Sequence, residues 1–143
     1  IIAGNRADGK QLREQFLTSL PALQSLKTRV DTAAQRGFLK GLDGRKIFLR
    51  HKHAALNTLL QGGGAIVMKK ALTILYDKLK TCNLDFKFVA NIHDEWQIEV
   101  KEGQANQAGQ LAVESIRDAG EYYNMRCPLD GEFKVGDNWS ETH

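Results

Sequence analysis

The sequence contains the segment Phe86-Lys-Phe-Val-Ala-Asn-Ile-His-Asp-Glu-Trp-Gln-Ile-Glu-Val100, which has a short polar break at its centre. Every second residue is apolar before the break (Phe86, Phe88, Ala90 and Ile92) and after it (Trp96, Ile98 and Val100). A period of two on both sides of a break predicts two half-buried strands joined tightly as a hairpin. Each apolar series is expected to share one face of its strand.

The break itself consists of His93, Asp94 and Glu95. A hairpin tip holds side chains rigidly and leaves them open to a ligand. Two neighbouring carboxylates repel each other and are hard to explain as packing. They are explained if a divalent cation lies in front of them, because carboxylate oxygens are the ligands of hard cations. The sequence therefore predicts a cation site at the tip, in front of the two carboxylates.

Length and composition describe an ordinary globular domain. The chain has 143 residues, of which 42% are hydrophobic and 26% charged. No apolar run approaches the ~20 residues of a membrane span, so no membrane partner is expected. Two cysteines, Cys82 and Cys127, are too few for a disulfide framework, which favours a reducing cytosol. The first residue is Ile1 rather than Met, which suggests a fragment or a processed product.

Charge is distributed unevenly along the chain. Residues 1–92 contain 16 Lys/Arg and 6 Asp/Glu, whereas residues 93–143 contain 4 and 11. A basic first part suits a polyanion such as nucleic acid. An acidic second part that begins at the predicted cation site suits a cation. Charged exposed helices explain the same asymmetry about equally well.

Helical patterns surround the predicted hairpin. Asp8 is expected to cap a helix that ends near Ser19, and Pro21 to be the first residue of a second helix that Gly37 ends. Further helices are predicted from His53 to about Leu79 and over residues 103–121, and a short strand over Glu132–Val135. Trp139 is expected to pin the end of the chain to the core. The predicted fold class is α+β, an antiparallel sheet with helices packed against it.

A second hairpin is predicted around Asp43-Gly44. Apolar runs flank this dipeptide, which is typical of a type I′ turn with positive φ at both central residues. Basic residues follow it: Arg45, Lys46, Arg50 and Lys52. They form either a solvated face or a surface for phosphate contacts.

Three consecutive glycines, Gly62 to Gly64, interrupt the long helical pattern. Each costs roughly 0.8–1 kcal/mol relative to alanine inside a helix. They mark either a break in the helix or a place where a ligand approaches the backbone closely. The helical period resumes at once, and Asn57 and Gln61 lie four residues apart on one face. Close approach is therefore preferred, because two amides on one face can contact base edges or sugars.

Four segments occur in an order that resembles the C-terminal portion of family A DNA polymerases, the class of bacterial DNA polymerase I. They are Gly41-Leu-Asp-Gly-Arg-Lys46, His53-Ala-Ala-Leu-Asn-Thr-Leu-Leu-Gln-Gly62, Asn91-Ile-His-Asp-Glu-Trp-Gln-Ile-Glu-Val100 and Gly136-Asp-Asn-Trp-Ser-Glu-Thr-His143. The motif Leu-Asn-Thr-Leu-Leu-Gln within the second segment is most similar to the sequences of the phage replicative branch. The resemblance covers nearly the whole chain and is weakest over the first 35 residues.

The resemblance implies a role for each residue at the tip. Asp94 would be one of two catalytic aspartates that hold a pair of Mg²⁺ ions, Glu95 would support the site, and His93 would contact the primer terminus. The ions would stabilise the primer 3′ oxygen and the leaving pyrophosphate. Substrates would be primer–template DNA and deoxynucleoside triphosphates.

The same resemblance implies an interface with DNA. Asn57 and Gln61 would lie along the primer–template minor groove, where correct base pairs present acceptors in similar positions. His53 would also have a role at the minor groove, at a position where many cellular members have Arg and where phage members resemble this chain. Arg45, Lys46 and Arg50 of the basic cluster are counted with these residues as candidates for binding DNA. Residues 1–36 would be the helical end of the fingers subdomain, and residues 37–143 the C-terminal part of the palm, whose antiparallel sheet carries the catalytic hairpin.

Other parts of such a polymerase do not appear in this sequence. The motif with the other catalytic aspartate, the fingers helix that grips the triphosphate, and the thumb are all missing from the 143 residues. The chain alone is therefore expected to be inactive and to need the remaining polymerase chain. Its expected location is the cytoplasm, or the host cytoplasm if the protein is viral.

Two alternatives stay open at this stage. A His-Asp metal-dependent phosphohydrolase would use His93 and Asp94 together with His51 and His53, because histidine suits transition metals. A non-catalytic DNA-binding or assembly module would use the basic first part of the chain, and its acidic tip would be incidental.

Overall fold

The computed structural model describes residues 5–142, which form two compact units divided between Leu60 and Gln61. The elements are α1 (Arg6–Ser19), α2 (Pro21–Ala34), β1 (Phe38–Lys40), β2 (Lys46–Phe48), a 3₁₀ turn (Lys52–Ala54), α3 (Ala55–Thr81), β3 (Phe86–Ile92), β4 (Glu95–Val100), α4 (Ala105–Tyr122) and α5 (Trp139–Thr142). Mixed helices and antiparallel strands confirm the predicted α+β class. Within the described part of the chain, no helix has both the length and the hydropathy needed to span a membrane.

The first unit begins with two helices whose ends follow capping rules. Asn5 caps α1, because its Oδ1 accepts hydrogen bonds from the N–H groups of Ala7 (2.8 Å) and Asp8 (3.0 Å). The prediction of Asp8 as the cap is therefore wrong, and Asp8 lies in the first turn, where a negative charge favours the helix dipole. Pro21 is the first residue of α2, as predicted, and Gly37 follows that helix with a φ of 79°.

The core of the first unit consists of small and branched apolar residues: Val30, Ala34, Leu39 and Ala55. The hairpin of β1 and β2 contributes Leu39 to it, and Leu39 pairs with Ile47 across the two strands. Each strand has only three residues, which is shorter than the apolar runs suggested.

The turn between β1 and β2 is not the predicted type I′. Gly44 has a φ of 83°, whereas Asp43 is not among the described residues with positive φ. The N–H of Gly44 donates to the carbonyl of Gly41 (3.0 Å), and the N–H of Gly41 donates to the carbonyl of Arg45 (2.9 Å). One left-handed glycine after a four-residue turn is the pattern of a longer hairpin loop with a bulge.

Helix α3 runs without interruption for 27 residues and includes all three glycines. The predicted long helix is confirmed, and the alternative of a break at Gly62 to Gly64 is wrong. A Cβ built on Gly64 would meet no described atom within 4 Å. No packing within the described chain therefore accounts for a glycine at this position.

The second unit has two apolar clusters between α3, α4 and the β3–β4 hairpin. One contains Leu75, Leu79, Leu84 and Ala108, and the other contains Val67, Ala71 and Ala119. The apolar face predicted for the helix over residues 103–121 is confirmed in α4, since Ala108, Leu111, Ala112, Ile116 and Ala119 all belong to these clusters or pack on them. Lys78 also links α3 to α4 by ion pairs with Glu114 (3.2 Å) and Asp118 (2.8 Å).

The β3–β4 hairpin is antiparallel, as predicted, but it contains a bulge at Val89. Phe88 pairs with Ile98, and the next pair is Ala90 with Gln97, so Val89 is an extra residue in β3. Cross-strand partners lie on the same face of a sheet, and Gln97 and Ile98 lie on opposite faces. The prediction that Ala90 and Ile92 share a face with Phe86 and Phe88 is therefore wrong, because an extra residue reverses the faces that follow it.

Two predictions for the end of the chain are also wrong. Residues 132–135 do not form a strand. They are held instead by a side chain: a Cβ on Gly109 of α4 would lie 2.2 Å from the Phe133 ring, so the ring fills the space that a glycine leaves. Trp139 is 50% exposed and does not lie in the core.

Candidate functional site

The candidate catalytic residues meet at the tip of the β3–β4 hairpin. Ile92 and Glu95 form the last pair of the ladder, so His93 and Asp94 are the two residues of the turn. Both turn side chains are exposed, and Glu95 is half-buried. Asp94 thus lies in a turn and faces solvent, as the prediction of a cation ligand requires.

His93 has a φ of 55°, in the left-handed region that L residues rarely adopt. Such backbone costs on the order of 1–2 kcal/mol for a residue with a Cβ, although histidine is one of the types found there more often. Strained backbone of this kind clusters at functional sites. A side chain with a role at the tip would explain why glycine, the easier residue, is not used.

We expect His93→Gly to raise the free energy of unfolding of the chain by up to about 1 kcal/mol, because glycine adopts this φ without strain. The matched control is His51→Gly, since His51 is exposed and has an ordinary φ of −141°. There the same change should lower stability by roughly 0.5–1 kcal/mol. Urea unfolding measures the change in the free energy of unfolding, which should be positive for His93→Gly and negative for His51→Gly. A loss of stability in His93→Gly would contradict the strain argument.

Trp96 anchors the hairpin to the helices. Its indole packs against both apolar clusters of the second unit. The indole Nε1 is buried and has no hydrogen-bond partner, so the contact is held by apolar packing. Because Trp96 directly follows Glu95, this anchor fixes the backbone of the tip on the side that faces the helices.

The opposite face of the tip carries a chain of polar contacts. The side-chain amide of Gln97 donates a short hydrogen bond to Glu95 Oε1. On its other end, Gln97 Oε1 accepts from the hydroxyl of Thr142 in α5 (3.2 Å). The C-terminal tail thus contacts the strand that carries Glu95, across 45 residues of sequence.

The basic residues that follow the first hairpin lie in the first unit. Arg45 forms an ion pair with Asp43 (2.5 Å), and the ammonium of Lys46 lies 4.9 Å from the Phe38 ring centroid. Burial acts to raise the pKa of Asp43, but hydrogen bonds from the backbone and side chain of Arg45 leave it below its ordinary value. Arg50 is exposed.

His51 and His53 stack on each other with ring centroids 5.4 Å apart and planes inclined by 13°. They belong to the first unit, whereas His93 and Asp94 belong to the second. Over residues 5–142, no three His, Cys, Asp or Glu side chains are grouped so that they could hold a metal ion.

Asn57, Gln61 and Gly64 are all exposed. They lie at intervals of four and three residues along α3, which places them on one face of that helix. This face combines two amides with a position that has no Cβ. It can therefore offer hydrogen bonds at its polar positions and close approach at the glycine.

Comparison with known proteins identifies the group to which these features belong. A family model described as DNA polymerase family A matches residues 2–141. The chain belongs to DNA polymerase family A. The predicted resemblance is therefore confirmed.

Relatives of this family A chain occur in phages and bacteria. The DNA-directed DNA polymerase of Enterobacteria phage T3 is 37% identical over 165 residues, which cover 100% of this chain and 23% of the phage protein. The enzyme of Escherichia phage Phieco32 is 36% identical, with 100% of this chain and 24% of its own length covered. DNA polymerase I of Pseudomonas aeruginosa is 28% identical over an alignment that covers 99% of this chain and 17% of the bacterial protein. The chain spans about a quarter of the length of the phage relatives.

A solved structure has the same fold as this polymerase chain. It is the POL domain of Pol1 from M. smegmatis, in complex with DNA primer-template and dNTP. The two share 24% sequence identity with a TM-score of 0.73, over 92% of this chain and 24% of the other. The roles of single residues at the tip and on α3 stay predictions.

Sequence reasoning missed two residues at the site, Gln97 and Thr142. Gln97 lies two positions after Glu95 on the same strand, so the period of two was a usable indication that their side chains meet. For Thr142 the sequence held no comparable indication, because its contact depends on how the tail folds back.

Proposed function

We propose that this chain is part of a DNA-directed DNA polymerase that adds deoxynucleotides to a primer 3′ end during DNA replication. Membership of family A supports the activity, and the observation that carries it here is the exposed Asp94 at the tip of the β3–β4 hairpin. The reaction would be a two-metal phosphoryl transfer, in which positioning and charge stabilisation do most of the work. Its substrates would be primer–template DNA and deoxynucleoside triphosphates.

Within this proposal, the three residues of the tip have separate roles. Asp94 is the metal ligand, because it is an exposed carboxylate in a turn. Glu95 supports it from a half-buried position, where Gln97 binds its carboxylate. His93 presents its imidazole from strained backbone and would contact the primer terminus.

Two Mg²⁺ ions are the proposed cofactors, and they would stabilise the attacking and leaving oxygens when bound. The residues of this chain fit one part of that site. Asp94 offers one ligand, but the described residues contain no group of three ligating side chains. The remaining ligands would therefore come from the rest of the polymerase.

Contacts with DNA are proposed separately for exposed residues of α3 and for the basic residues of the first unit. Asn57 and Gln61 would contact the minor groove beside the new base pair, where the acceptor pattern is nearly independent of sequence. Phosphate contacts are assigned to three exposed residues, Arg45, Lys46 and Arg50, and the exposed His53 is assigned to the minor groove. The ion pair of Arg45 with Asp43 leaves Arg50 as the less compensated guanidinium of this group.

Gly64→Ala separates stability from DNA binding. We expect it to raise the free energy of unfolding by about 0.8–1 kcal/mol, because alanine favours a helix and its Cβ meets no described atom. Gly109→Ala is the contrast, since its Cβ would lie 2.2 Å from the Phe133 ring and should lower stability.

In the assembled polymerase, Gly64→Ala should weaken binding to primer–template DNA, because the methyl group occupies the proposed path of close approach. Urea unfolding and DNA affinity measured at one salt concentration give the two readouts. A variant that is more stable and binds DNA as tightly as the parent would contradict the role of the glycine.

The chain is proposed to act only with the remaining polymerase chain, in the cytoplasm, or in the host cytoplasm if the protein is viral. We expect no primer extension by the 143-residue chain alone. Extension should begin when the remaining part of the phage T3 polymerase is added, because that part would supply the other catalytic motifs. Robust synthesis by the isolated chain would contradict the proposal that the other catalytic motifs lie in the rest of the polymerase. No synthesis by the chain together with the phage T3 part would contradict the proposed function.

A further inference from the structure

Gln97 bridges Glu95 and the C-terminal tail. The chemistry of Glu95 decides which end of the Gln97 amide faces it. An ionised carboxylate only accepts hydrogen bonds, so the end of the Gln97 amide that faces Glu95 has to be the NH₂ group. The oxygen of the same amide then faces Thr142, whose hydroxyl can donate to it (3.2 Å). The reversed amide would set its oxygen against the carboxylate. The carboxylate thus sets the orientation of the amide. The Thr142 hydroxyl, which also lies within hydrogen-bond distance of the carbonyl of Trp139 (3.2 Å), ties that amide to the tail.

This bridge supports the face of the hairpin that Trp96 does not anchor. Trp96 packs on the helices, whereas Glu95 and Gln97 lie on the opposite face of β4. Both side chains are half-buried, so their hydrogen bonds are partly shielded from water. A charge-assisted hydrogen bond in such a place is stronger than one between exposed groups.

The tail that carries Thr142 has its own internal support. Glu141 accepts hydrogen bonds from the N–H of Asp137 (2.9 Å) and from the side-chain amide of Asn138 (2.6 Å). A Cβ on Gly136 would lie 2.6 Å from the Cβ of Glu141, so the loop closes only around a glycine. These contacts support the arrangement of the short helix in which the Thr142 hydroxyl faces Gln97.

We propose that Gln97 and Thr142 are positioning residues, which together orient the carboxylate of Glu95 beside Asp94. This inference rests on the polymerase function proposed above. The tail would act on the reaction through Gln97 and Glu95. Removing an outer partner of a metal site typically changes activity by about 10–100-fold. Because Glu95 is proposed to support the site and not to bind the ion, a change of about 10-fold, at the lower end of that range, is expected here.

The first test is made on the 143-residue chain by NMR. In Thr142→Val, which keeps the shape of the side chain but lacks the hydroxyl, the proton shifts of the Gln97 side-chain amide should move. Thr142→Ser should keep the parent shifts. The internal reference is Gln104, whose Oε1 accepts from the N–H of Asp85 (2.9 Å) and should not change. Gly136→Ala should move the Gln97 shifts as Thr142→Val does, because it displaces the tail and leaves the hydroxyl intact.

The second test is primer extension after the remaining part of the phage T3 polymerase has been added. Thr142→Val should lower kcat by about 10-fold and leave KM for the deoxynucleotide nearly unchanged. Gln97→Leu should lower kcat at least as much, and Thr142→Ser should restore the parent value. A general loss of structure would also move KM and would not be rescued by serine.

The two tests separate the possible failures. Parent shifts in Thr142→Val overturn the bridge, whatever the polymerase does. Moved shifts with an unchanged kcat overturn the positioning role and leave the proposed function in place. No synthesis by the parent combination overturns the proposed function, and the positioning role with it.

Discussion

Replacing Asp94 by Asn should abolish primer extension by the assembled polymerase, with a loss in kcat on the order of 10³-fold. Asparagine has nearly the same shape as aspartate but carries no charge and binds a hard cation poorly. The turn should stay intact, because Asp94 is exposed and the positive φ belongs to His93. Steady-state extension at saturating DNA and nucleotide measures the loss.

The matched control is Asp77→Asn, the same substitution at an exposed aspartate on α3 of the same unit. It should leave kcat within about 2-fold of the parent, since surface changes of this kind are near neutral. DNA affinity should be retained in both variants. If Asp94→Asn extends primers as Asp77→Asn does, the acidic tip is incidental and the chain acts as a non-catalytic DNA-binding or assembly module.

The position of the tip was predictable because it depends on local chemistry. Alternating apolar residues specify strands, and the polar break between Ile92 and Trp96 leaves few places for the turn. The bulge at Val89 was not predictable in the same way. Val89 is apolar and fits the strand pattern, so nothing in the period of two distinguishes an extra residue from a paired one. The bulge depends on how both strands fit against the helices.

The ends of elements show the same division between local and long-range causes. Pro21 and Gly37 act through their own backbone geometry, so their positions in the chain sufficed. At the start of α1, Asn5 and Asp8 are both good caps, and the sequence does not rank two good caps three residues apart. Residues 132–135 have strand-like alternation but find no partner strand, and only the contact of Phe133 with Gly109 explains their path.

The candidate site was predictable as far as its residues are neighbours in sequence. His93, Asp94 and Glu95 are consecutive, so a single turn brings them together. Their support was not predictable, because the contact between Gln97 and Thr142 joins residues 45 positions apart. For Asn57 and Gln61 only part was predictable. Helical spacing predicts that they share a face of α3, but it does not predict which ligand approaches that face.

Leu75→Ala should have the largest effect on stability, with a loss of about 3 kcal/mol in the free energy of unfolding. Leu75 is fully buried in the cluster with Leu79, Leu84 and Ala108, and the β3–β4 hairpin packs on that cluster. Truncation removes apolar contacts and leaves a cavity that rigid neighbours cannot fill. With an m-value of about 2 kcal/mol/M, the urea midpoint should fall by about 1.5 M. Far-UV circular dichroism and tryptophan fluorescence measure it.

Leu60→Ala is the matched control, because Leu60 lies on the same helix but is 59% exposed. It removes the same atoms and gains the same helix propensity, so its effect should stay within about 0.5 kcal/mol. The difference between the two variants isolates burial as the cause. Equal losses would mean that the cluster around Leu75 does not hold the hairpin. A rigid tip would then need another origin, since the anchor at Trp96 packs on that same cluster.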